Sequence, residues 1–99
     1  MAATIYRYRF GEQTPLQDVE ESLLLGVLAA EGLYGAARVA MEAYCLLDKE
    51  RRACAIDATT DVGLAIARIF TSLLFHQFGP DAFRVEAVEM PHVCPTGKE

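Results

Sequence analysis

Ala53–Gly79, ACAIDATTDVGLAIARIFTSLLFHQFG, reads as a buried strand, a polar corner and one long amphipathic helix. Ala53 to Ala58 alternates, with Cys54 and Ile56 inward and Asp57 outward. Thr59 and Thr60 offer hydroxyls to the orphan amides of a first helical turn, Asp61 sets a negative charge at the positive helix end, and Gly79-Pro80 supplies the stop. At about 100° per residue, Val62, Ile66, Ile69, Phe70 and Leu73 form the core stripe, with Ala67 and Leu74 on its flank. Arg68, Thr71 and Ser72 turn away from the stripe. So do Leu64 and Phe75, and large apolar groups on an outer face point to a partner.

Upstream, Ile5–Phe10 alternates IYRYRF, placing Tyr6, Tyr8 and Phe10 on one face and Arg7 and Arg9 on the other. Gly11 ends this strand. Thr14-Pro15-Leu16-Gln17 then opens a helix with a Thr cap, Pro at the first helical position and Gln at the capping-box position. Leu16, Val19, Leu23, Val27 and Ala30 form its inner stripe, while Leu25 and Leu28 point outward and Gly32 supplies the stop. The two helices are expected at 14–31 and 60–78.

Ala36–Leu47 alternates as a second strand, with Arg38, Ala40, Glu42, Tyr44 and Leu46 on one face and Val39, Met41, Ala43, Cys45 and Leu47 on the other. Asp48 to Arg52 is a charged connection of hairpin length leading to the strand at Ala53. After Pro80-Asp81-Ala82, Phe83–Val88 alternates once more.

The order β-α-β-β-α-β predicts an α+β ferredoxin-like plait, a four-stranded antiparallel sheet in the order 4-1-3-2 with both helices on one face. Residues 1–90 form this single domain. Residues 91–99, with two prolines and no period, read as a flexible C-terminal tail.

Composition narrows the function classes. The chain has 99 residues, of which 53% are apolar and 23% charged, the balance of a folded domain. Its longest apolar run, Leu23 to Ala30, is too short for a bilayer, and its N-terminus lacks the pattern of a secretory signal, so the expected location is cytoplasmic. A net charge of −5 argues against a nucleic-acid partner. Cys45, Cys54 and Cys94 are odd in number and show no CxxC spacing, which indicates reduced thiols.

Candidate sites are few. The corner Asp57–Gly63 joins a strand end to a helix start, where Thr59 and Thr60 would hold an anion, or Asp57 and Asp61 a divalent cation, unless they serve simply as a cap. His92 and Cys94 are two soft ligands where a structural zinc needs four, so no metal site is expected. Cys45 and Cys54 fall on the core face, away from any base that would activate them. The open sheet face would gather Arg7, Arg9, Arg38 and Arg84 with Glu42, Asp57 and Glu86, beside Tyr44. Functional signatures of plait families are missing: no aromatic stands in ACAIDAT, no CxxC follows the first strand, and the chain contains no Asn.

The expected role is therefore a non-catalytic binding or assembly module, without a cofactor, that self-associates or docks to a protein partner. Leu25, Leu28, Leu64 and Phe75 are the expected homodimer interface. The alternative is a small-ligand protein or enzyme using Asp57, Thr59, Thr60 and Asp61 with Arg7 and Arg9.

Overall fold

The computed structural model describes residues 2–91. The chain runs β1 (Ala2–Phe10), α1 (Leu16–Tyr34), α2 (Ala36–Glu42), β2 (Cys45–Asp48), β3 (Ala53–Asp57), α3 (Asp61–Phe78) and β4 (Phe83–Pro91). The four strands form one antiparallel sheet in the order β2-β3-β1-β4, with helices packed on it, as in a ferredoxin-like α+β plait. Pro91, expected in the tail, pairs with Ala2 as the last residue of β4. The rest of the tail, with His92 and Cys94, lies outside the described residues.

The inner face of the sheet carries Tyr8, Phe10, Cys54, Ile56 and Phe83, all buried against Val19 and Ala30 of α1 and Val62, Ile66, Ala67, Phe70 and Leu74 of α3. Tyr8 is the centre of this core. Its ring meets Phe70 edge-on at 5.0 Å, and its hydroxyl shares a 2.7 Å hydrogen bond with Thr71 Oγ1, so the one polar group of the ring is satisfied. Burial pushes the Tyr8 phenol well above its ordinary range, the neighbouring Thr71 hydroxyl opposing that only in part.

The buried stripe of α3 is rotated from the expected one. Ala67 and Leu74 are fully buried, whereas Ile69 and Leu73 are only half-buried. Gly63 explains the rotation: it lets the first turn of α3 close on the end of β3, where a Cβ would stand 1.9 Å from the Asp57 carbonyl oxygen. The small side of the helix, Gly63 and Ala67, therefore faces inward.

The greatest departure from the sequence reading is at residues 36–42, expected as the first half of the second strand and in fact helix α2. Ala, Arg, Met and Glu dominate AARVAME, and these are among the strongest helix formers. Val39 and Ala43 also fit a four-residue spacing, and only Val39 in this helix is buried. Met41, expected inward, is exposed. Arg38 and Glu42, placed on the sheet by the strand reading, pair on the helix at 2.9 Å. Helix α1 passes through Gly32 to Tyr34, and Gly35, at φ +90°, makes the break before α2.

The start of α1 also differs. Pro15 is the cap residue and no side chain caps this end. The Thr14 hydroxyl instead donates to the Ala82 carbonyl at 2.9 Å, tying the β1–α1 loop to the α3–β4 loop. The Arg52 guanidinium donates to the Gly11 and Thr14 carbonyls beside it, which fixes this end of the sheet.

Candidate functional site

The corner after β3 is consumed by the fold. Asp57 Oδ1 accepts from the Thr59 amide at 2.9 Å, and Thr59 Oγ1 accepts from the Thr4 amide at 3.1 Å. Thr60 caps α3, its hydroxyl oxygen accepting from the Gly63 amide at 3.0 Å and donating to the Glu42 carbonyl at 3.4 Å. Asp61 is exposed in the first turn. Asp57, Thr59 and Thr60 thus serve backbone amides, and Asp61 stays outside these bonds. Among the described residues, no group of three His, Cys, Asp or Glu side chains is placed to share a metal ion.

The open face of the sheet follows from the strand register. Arg7 lies between Ala55 of β3 and Glu86 of β4, and Arg9 between Ala53 and Arg84. Leu46 and Asp48 of β2 continue these two rows. The small Ala53 and Ala55 leave a shallow groove of ≈ 430 Å³ between the arginines and β2. Arg38 and Glu42 are absent from this face because α2 has carried them off the sheet. Among the described residues, Arg7, Arg9 and Arg84 have no carboxylate within ion-pair distance, the pairs being Arg38–Glu42, Lys49–Glu20 and Arg51–Asp48.

The two thiols among the described residues, Cys45 and Cys54, are poorly suited to nucleophilic chemistry. Burial pushes Cys54 up to about 12 and raises Cys45 as well, so neither forms the thiolate readily at neutral pH. His76, in the last turn of α3, is exposed beside Phe75.

The four apolar residues expected at an interface fall in two places. Leu25 and Leu28 lie on the outward face of α1, 54% and 51% exposed. Leu24 and Leu33, which the sequence reading passed over, are exposed on the same helix. Between Ser22 and Tyr34 the only charged residue is Glu31, a pattern that could have drawn attention to the whole outer arc. Leu64 and Phe75 belong elsewhere. On α3 the side toward α1 is marked by Ile66 and Phe70, which approach Gly26, and by Gln77, bonded to Ser22 at 2.7 Å. By helical phase, Leu64 and Phe75 occupy the opposite flank. Leu64 is half-buried there, and Phe75 overhangs a groove floored by Tyr6.

The strand β4 adds a feature that alternation alone did not disclose. Val85 pairs with Tyr8 and Ala87 with Tyr6, which puts them on the helix-covered face. Yet Val85 is 41% exposed while Tyr8 is 0%. The helical layer covers β1 and reaches Phe83 at the start of β4 but leaves Val85 and Ala87 bare. No described helix is long and apolar enough to cross a membrane.

A scan against protein-family models found no match to this chain, and comparisons with curated proteins and with solved structures also found none.

Proposed function

We propose that this chain is a non-catalytic assembly module that self-associates through the outward face of α1. The observation that carries the reading is the uncovered arc of Leu24, Leu25 and Leu28 on a helix whose other side is docked on the core. Fully burying one such side chain contributes roughly 1.5–3 kcal/mol, and about half of that is still available at each exposed leucine. Summed over both copies the gain is roughly 4–9 kcal/mol, of the same size as the cost of association, about 4–15 kcal/mol. The association is therefore concentration-dependent. Stacking open sheet faces is the less favourable mode, since it would desolvate Arg7, Arg9 and Arg84. Ligand binding at the Asp57–Gly63 corner is less favoured because its hydroxyls and the Asp57 carboxylate already serve backbone amides.

Light scattering coupled to size exclusion tests the reading. Leu28→Glu lowers the mass of the species, and Tyr44→Asp, at an exposed residue just before β2, leaves it unchanged. A wild-type protein that stays monomeric at high concentration, or whose mass ignores Leu28→Glu, overturns the α1 interface.

A further inference from the structure

We propose that the free edge of β4 pairs with β4 of a second copy, antiparallel about a two-fold axis at Val85, joining two sheets into one. This contact goes beyond the α1 interface and does not depend on it.

Four observations converge on the edge. The strand order ends at β4, so its outward backbone groups have no strand partner among the described residues, and Phe83–Pro91 spans 9 residues, against 4 in the other edge strand β2. A long exposed edge is a template for pairing. Val85 and Ala87 are left uncovered on the face that the helices protect elsewhere. Phe75, 53% exposed, shares a groove with Tyr6, whose neighbour on β4 is Ala87. A two-fold axis normal to the sheet keeps both helical layers on one side, so the second copy brings its own α3 flank and Val85 to cover these apolar groups.

Charge favours a centre at Val85 over either neighbouring residue, with Phe83–Ala87 of the two copies in register. In antiparallel pairing about Val85, Arg84 stands opposite Glu86 of the second copy, and Glu86 opposite its Arg84. A centre at Arg84 or at Glu86 would set like charges against each other, which is unfavourable. Within its own chain Arg84 faces Arg9 across the β1–β4 ladder and has no carboxylate within ion-pair distance among the described residues. The two-fold contact supplies one.

Two different two-fold contacts on one chain, at α1 and at β4, build a closed tetramer if the axes cross at right angles and a larger ring or an open polymer at other settings. The test isolates the β4 contact by using full-length Leu28→Glu as the background and measuring mass against concentration by sedimentation. The expected result is a dimer that Arg84→Glu weakens roughly tenfold or more and that Arg84→Glu with Glu86→Arg restores. Folding is not at risk in these variants: Arg84→Glu sets a carboxylate opposite Arg9, and the swap leaves the chain with one like and one unlike pair on these rows, as before. Circular dichroism checks that each variant is folded. A monomeric background, a dimer indifferent to Arg84→Glu, or a swap that fails to restore it overturns the β4 pairing. The α1 interface is judged separately, by comparing the mass of wild type with that of Leu28→Glu.

Discussion

Gly63→Ala is the substitution that most directly probes how the fold is locked. A Cβ at this position would lie 1.9 Å from the Asp57 carbonyl oxygen, 3.0 Å from its carbon and 3.3 Å from Thr60 Oγ1. The nearest of these atoms is backbone, so no side chain can swing aside. To reach even 3.0 Å, the first turn of α3 must move about 1.1 Å from the end of β3. That end is held by the Asp57 amide on the Tyr44 carbonyl at 2.9 Å and the Ala58 amide on the Thr4 carbonyl at 2.8 Å. Overpacking of this kind costs about 1–3 kcal/mol, occasionally more, and displacing the Gly63 amide from the Thr60 hydroxyl costs about 1 kcal/mol. The better helix propensity of Ala returns about 1 kcal/mol, so the net loss is about 1–3 kcal/mol. In a domain of this size that lowers Tm by roughly 4–24 °C. Gly26→Ala is the control, because its Cβ would meet Ile66 and Phe70 atoms at 3.6–3.8 Å, ordinary contact distance. It is expected to be neutral or to raise stability by up to about 1 kcal/mol. Urea denaturation of the two variants, compared at equal slope, measures both effects. If Gly63→Ala loses less than about 1 kcal/mol, or no more than Gly26→Ala, the close approach of α3 to β3 is wrong.

Tyr8→Phe removes a hydroxyl bonded to Thr71 Oγ1 while Thr71 keeps its own 2.7 Å bond to the Ala67 carbonyl, so the expected cost is about 0.5–1.5 kcal/mol by thermal melting; a loss above about 3 kcal/mol would mean that the ring packing, unchanged in this variant, had been misread. Cys54 in the native protein resists iodoacetamide at pH 8 and is labelled readily in urea, as peptide mass spectrometry will show; equal rates in the two conditions contradict its burial. The same thiol predicts a loss of stability in base. Its folded pKa is raised to about 12 by burial, so its contribution is intact below the ordinary thiol pKa of about 8.5 and declines as pH rises from there toward 12, because the unfolded chain releases the proton first. Denaturation midpoints from pH 7 to 11 should therefore fall less steeply in Cys54→Ala than in wild type, after allowance for its lower starting stability.

The sequence by itself determined three of the strands, because alternation in Ile5–Phe10, Ala53–Asp57 and Phe83–Val88 is local, and the β-α-β-β-α-β order of the elements pointed to the order of the sheet. It also determined α3, whose cap at Thr60 and stop at Gly79 are written in adjacent residues. It did not determine α2, since Ala36–Leu47 satisfies a period of two and a four-residue spacing alike, and only Gly35 turning the chain after α1 decides between them. The rotation of α3 was equally hidden, for it depends on Gly63 meeting the backbone of Asp57 across the corner. The candidate residues divide the same way. Arg7 and Arg9 on the open face, Leu25 and Leu28 on the outside of α1 and the cap at Thr60 follow from local pattern, but the use of Thr59 on the Thr4 amide and the exposure of Val85 do not. Those are set by which backbone amide lies within reach of the Thr59 hydroxyl and by how far the helical layer extends across the sheet, and both are distances between segments far apart in the chain.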